Sequence, residues 1–226
     1  MKRLFSTHFI LSGVALAVMT GAACSTTTET NSNTAVVTSS PAMAASPSPS
    51  GGMGGMDHGG MDHSAMKSSP NAASAPYDLQ FIDTMSAHHQ GAVDMALPAK
   101  TKARHQELKD FAAKIDSDQQ REIAQMKEWR SQWYTGKPEA MNMEMPGMMD
   151  SMRGMDMKEM NSATGNSFDL MFIDMMTPHH EGAVVMAREA LTKAEHPEIK
   201  TLAQQIITAQ EREIAQMKKW KEAWRQ

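Results

Sequence analysis

The strongest constraint on what this chain can fold into is that it carries one residue pattern twice, at a fixed offset of 91 positions and without a gap. Asp78, Phe81, Ile82, Asp83, Met85, His88, His89, Gly91, Met95, His105, Ile115, Glu122, Ile123, Met126, Trp129 and Trp133 return as Asp169, Phe172, Ile173, Asp174, Met176, His179, His180, Gly182, Met186, His196, Ile206, Glu213, Ile214, Met217, Trp220 and Trp224. A duplication of this kind fixes the unit of architecture before any single element is weighed.

The unit reads as a helical hairpin. Phe81, Met85, His88, Ala92 and Met95 fall on one helix face, which Ile82, His89, Val93 and Ala96 widen. Pro98 is expected to bend or end that helix. A second helix is expected from about Glu107 to Trp133, with the stripe Leu108, Phe111/Ala112, Ile115, Gln119, Glu122, Met126, Trp129 and Trp133. Gln119 and Glu122 therefore lie on the face that should be buried. In the second copy, Pro178 is expected to start or kink the local helix, and Pro197 marks the turn between helices. One hairpin cannot cover both of its stripes, but two stacked hairpins can. No stretch alternates in the manner of a strand. The expected fold is all-α, a four-helix up-down bundle. Gly91 and Gly182 cost roughly 1 kcal/mol each inside a helix, so they predict close approach of a neighbouring helix beside the histidines.

The rest of the 226 residues divides by composition. Residues 1–23 read as a secretory signal: Lys2 and Arg3, a short apolar run from Phe9 to Met19, then Gly21–Ala22–Ala23. Cys24 directly after them resembles a bacterial lipoprotein cleavage site, although Gly21 stands where that pattern prefers Leu. Lipidation at Cys24 would anchor the exported chain to a membrane, at the periplasmic or extracellular face. Residues 24–76 are rich in Ser, Thr, Ala, Pro and Gly and read as a disordered tether. Within it Gly-Met-Asp-His occurs twice, ending at His58 and His63. The expected division continues with hairpin 1 at 77–134, a Met-rich linker at 135–168 and hairpin 2 at 169–226, the hairpins forming one bundle. The linker is long for a compact domain, and its irregularly spaced methionines read as a mobile thioether-rich strap with a short helix around Met152 to Asn161.

The chemistry is carried by sulfur and imidazole. The chain has 24 Met and a single Cys, so an internal disulfide and a multi-cysteine metal site are excluded. Its net charge of −4, without a basic stripe, gives no argument for nucleic acid. Met85 lies one turn before His88 and His89, and Met176 one turn before His179 and His180. Thioether plus imidazole suits copper(I), with silver(I) as a substitute, and does not suit oxygen-seeking calcium or magnesium. The expected ligands are Met85, His88, His89, Met95 and Met126 in the first copy and Met176, His179, His180, Met186 and Met217 in the second, one site per repeat. Adjacent histidines point about 100° apart on a helix, so one binds metal while its neighbour bonds Asp83 or Glu122, or each serves a different ion. His105, His196, Glu122, Glu213, His58 and His63 are weaker candidates. The four tryptophans read as packing at the hairpin ends.

The pattern Asp-x-x-Phe-x-Asp-x-Met-x-x-His-His-x-Gly-Ala-x-x-Met, then His, then Gln-x-x-Glu-Ile-x-x-Met-x-x-Trp, resembles the CopM-like family, domain of unknown function 305, over residues 78–133 and again over 169–224. The resemblance implies a ferritin-like bundle outside the cytoplasm that binds copper, in some members for copper resistance. The expected function is non-enzymatic copper(I) sequestration or transfer, with a copper-exporting or copper-delivering protein as partner. Two rivals are a ferritin-like di-iron oxidase, which would use Glu and Glu-x-x-His from the bundle helices, and a lipid-anchored interaction scaffold.

Overall fold

The computed structural model describes residues 66–225. The leader, Cys24, His58 and His63 lie outside the described residues. A single 3-10 turn at Ala72–Ser74 leads into α1 (Tyr77–Lys102), followed by α2 (Gln106–Trp133), the short α3 (Met148–Ser151) and α4 (Met157–Ser162), then α5 (Gly165–Lys193) and α6 (Pro197–Trp224). The four long helices form the all-α bundle, and no named strand occurs among the described residues; one isolated bridge joins Ala103 and Gly165. Each hairpin packs on itself, and α1 also packs along α5.

Neither internal proline ends its helix. α1 continues past Pro98 to Lys102, and α5 passes through Pro178 from a start at Gly165. A proline inside a helix forfeits one backbone bond, about 3 kcal/mol in an exposed helix. Here burial on both sides holds the backbone in register: Ala96 and Ala99 around the first, Met175, Met176, His179 and His180 around the second.

The apolar stripes merge across the copies rather than within them. Met85 and Met126 share a cluster with Met186, Leu202 and Ile206. Met95 shares the other with Met176, Met217, Leu108 and Phe172. Each end of the bundle is therefore built from both hairpins, as expected if α1 and α5 run antiparallel.

Two aspartates lock the hairpins together. His105 and His196 stand at the N-termini of α2 and α6, and neither helix has a side-chain cap of its own. The orphan donors there are met from the other copy. Asp169, fully buried on α5, accepts from the backbone N–H of Arg104 and His105 and lies 2.6 Å from His105 Nδ1. Asp78 on α1 does the same for Glu195 and His196, with His196 Nδ1 at 2.5 Å. Trp224 then stacks on His105 and Trp133 on His196, both at 3.9 Å between ring centroids. Trp133 and Trp224 thus pack the hairpin ends, each against the histidine of the opposite copy.

The methionine-rich connection packs against the bundle. Met143, Met145, Met148 and Met160 are buried. Ala140 N–H donates to Asp83, Asn142 N–H to the Thr84 hydroxyl, and Met143 N–H to Ser68. Asn142 also donates its side-chain amide to Gln80. The connection is a strap tied along α1, and its helices α3 and α4 both pack on α5. Its methionines have no helical period because they follow the outside of the bundle and fill it from there.

Candidate metal centre

Where α1 and α5 pack, His88 meets its own copy. The His88 and His179 rings lie 3.7 Å apart between centroids at 33°, and each residue is only 3% exposed. The next residue in each chain segment points elsewhere, as the helical step requires. His89 places Nε2 2.7 Å from Glu122 on α2, and His180 places Nε2 2.9 Å from Glu213 on α6. Within each His-His pair, the first ring faces the other hairpin and the second is fixed by a carboxylate of its own. Asp83 does not take that role; it pairs with Arg130 at 2.7 Å and anchors the strap through Ala140.

Over His88 and His179 lies a cavity of about 10 Å3, lined by Met66, Ala87, His88, Gly91, Met148, Met152, Met155 and His179. That volume is about the size of one water molecule. Four of its lining residues are methionines and two are histidines. Met148, Met152 and Met155 come from the strap, and Met66 from the segment that leads into the bundle.

The close seating of the strap depends on Gly182. A methyl group there would collide with Ser151 Cβ and the Gly147 carbonyl oxygen. Gly147 itself has φ of 89°, and a side chain there would strike the Gly182 carbonyl. The close neighbour expected from Gly182 is therefore α3 of the strap, not another bundle helix. Gly91 lines the cavity.

The remaining sequence candidates stand away from this cavity. Met85, Met95, Met126, Met176, Met186 and Met217 are fully buried in the two apolar clusters and do not line the cavity. Met126 Sδ accepts from the Ser86 hydroxyl at 3.8 Å, and Met217 Sδ from Thr177 at 3.9 Å. His105 and His196 serve the bundle ends, far along the helices from His88 and His179. The cavity is thus shared between the copies, whereas the sequence suggested one complete ligand set in each. Sequence reasoning missed Met66, Met148, Met152 and Met155 as a set, because nothing in their spacing says which ones turn inward.

On the opposite side, α2 and α6 leave a groove of about 910 Å3, lined by Gln119, Glu122, Gln210 and Glu213 together with Lys114, Asp118, Arg121 and Arg212. The bond to Asp118 raises the Lys114 ammonium above its ordinary value, with burial opposing. Burial alone would raise Asp118, but Lys114 and Arg121 outweigh it and hold that carboxyl below its usual range. Among the described residues no three His, Cys, Asp or Glu side chains gather into a metal-holding group.

Fold and cavity together define a duplicated helical bundle whose shared site brings methionine and histidine together. The chain belongs to the DUF305 family, a domain of unknown function, which matches residues 78–221. No curated protein matches it. Among solved structures, CopM in its Cu(II)-bound form is 44% identical over 65% of this chain and 97% of its own, with a TM-score of 0.57. CopM in its Cu(I)-bound form is 41% identical over 65% and 96%, with a TM-score of 0.56. CopM has also been solved with silver bound. A DUF305 protein from Streptomyces coelicolor, whose description proposes that it is secreted, is 28% identical over 66% and 90%, with a TM-score of 0.56.

Proposed function

We propose that this protein binds copper, and that the cavity over His88 and His179 is its copper(I) site. One observation carries the reading: a space for a single ion, lined by four methionines and two histidines. That is the donor set a soft monovalent ion prefers, and one with little appeal to hard cations. His89 and His180 hold the helices in register through Glu122 and Glu213, and the buried Met85, Met95, Met126 and their counterparts fill the two apolar clusters. The Cu(I)-bound and silver-bound structures of CopM favour the same chemistry. A di-iron oxidase fits the residues less well. Glu122 and Glu213 are each engaged by a histidine, and thioethers are poor ligands for iron(III).

The role that follows is sequestration or transfer of copper outside the cytoplasm, without a catalytic step. The leader at 1–23 supports export, as does the description of the Streptomyces relative. Cys24 would tether the chain to a membrane, and His58 and His63 with their methionines would collect ions before the bundle does. Anaerobic copper(I) titration against a competing chelator tests the assignment. Wild type should show one tight site shared by the copies, and His88→Ala/His179→Ala should lose it. Equal affinity in that variant would transfer the function to the tether.

A further inference from the structure

Of the described methionines, all but one are buried or half-buried; Met149 alone is exposed, at 65%. A single exposed apolar side chain is ordinary on a protein surface. What sets Met149 apart is its position. It follows Met148 and precedes Met152 by three residues on the turn of α3, and both of those line the cavity. Residues three apart on a helical turn are neighbours, about 5–6 Å between Cβ atoms. Thioethers thus run from solvent at Met149, through half-buried Met152, to the ring pair at His88 and His179. The charged side chains of the same turn are already engaged, since Asp150 pairs with Arg153 at 2.6 Å. Met149 is the soft donor that α3 offers to solvent.

We propose that Met149 is the receiving ligand of the copper(I) site: it takes the ion at the surface and passes it inward to Met152. This rests on the copper(I) reading of the cavity given above. The step is ligand exchange without electron transfer. A Cu–S bond to Met149 forms as a bond to the outside donor breaks. A bond to Met152 then forms as the one to Met149 breaks, and copper stays monovalent throughout. A way station on the route in is also on the route out. Its loss therefore slows loading and release by the same factor and leaves their ratio, the equilibrium affinity, in place. A ligand of the final site behaves differently, because its loss speeds release.

Met149→Leu and Met149→Gln both remove the sulfur at an exposed position where neither threatens the fold. Stopped-flow loading of the full chain with the copper(I)–acetonitrile complex would be followed by near-ultraviolet copper–sulfur absorbance. Release would be followed by transfer to an excess of chelator. The same records on His88→Ala/His179→Ala isolate the signal of other sites for subtraction. Both Met149 variants should load and unload about tenfold more slowly, equivalent to 1.36 kcal/mol on each barrier, whereas Met152→Leu should release faster. Wild-type loading rates in both Met149 variants, or faster release from them, overturn the proposal while the site itself stands. Tight binding that survives in His88→Ala/His179→Ala overturns the underlying reading instead.

Discussion

Gly182→Ala should separate the strap from the bundle without unfolding either. The added methyl meets Ser151 Cβ, the Gly147 carbonyl and Ser151 Cα, two of them backbone atoms that no rotamer change can move. Overpacking of this kind costs about 1–3 kcal/mol, and replacing glycine by alanine inside α5 returns up to about 1 kcal/mol of helix propensity. The bundle need not absorb the difference, because α3 is a single turn lying on α5 and can lift away. Lifting it withdraws Met148 and, with it, Met152 and Met155 from the rings of His88 and His179. If the whole cost is taken from the strap, copper(I) affinity falls by up to about 100-fold, at 1.4 kcal/mol per tenfold, while the thermal midpoint of the apo-protein shifts little. Chelator competition gives the first quantity and circular dichroism the second. Gly136→Ala is the control: Gly136 has φ of 74°, and a methyl group there would meet nothing within 4 Å, so the substitution adds backbone strain of about 1–2 kcal/mol without touching the cavity. Unchanged copper affinity in Gly182→Ala, accompanied by a large loss of thermal stability, would show that the strap is structural cover and not part of the site.

Asp78→Asn and Asp169→Asn should each lower stability by about 2 kcal/mol, since each removes the charge from hydrogen bonds to two backbone donors and a histidine. For a bundle of this size that is about 4–8 °C in the thermal midpoint, equal for the two by symmetry, with copper affinity held. Met126→Leu conserves volume in a packed core and should cost less than about 1.5 kcal/mol while retaining the tight site, whereas Met152→Leu should weaken it; parallel titrations of the two decide whether the strap or the bundle core supplies the sulfur. Copper(I) affinity should fall as the solution is acidified, because His88 and His179 bind metal only as neutral rings and protons compete for the same nitrogens. Affinity independent of pH would leave the thioethers as the sole ligands.

The helices were legible because their stripes are periodic and because the duplication repeats each of them: Phe81, Met85, His88 and Met95 announce α1, and Phe172, Met176, His179 and Met186 repeat it as α5. The divergence within each His-His pair was legible only in part: a helical step of about 100° cannot aim both rings at one ion, but the sequence left open whether the second ring bonds Asp83 or Glu122 or serves a different ion. Propensity alone could not tell a bend from an end at Pro98, or a kink from a start at Pro178, because the local cost of a proline carries no information about the burial that flanks it. The strap resisted for a different reason. Met148, Met152 and Met155 are selected by the surface they lie on, so their spacing records the contour of α1 and α5 rather than any period of their own. Yet duplication alone carried more than was taken from it. Two equal hairpins that pack face to face are related by an approximate two-fold axis, and a residue near such an axis meets its own copy, as in any self-complementary interface. A histidine at the centre of the stripe must then be one half of a pair across the hairpins. That geometry makes a single shared site, closed by whichever segment crosses the axis, the natural outcome of copying one hairpin.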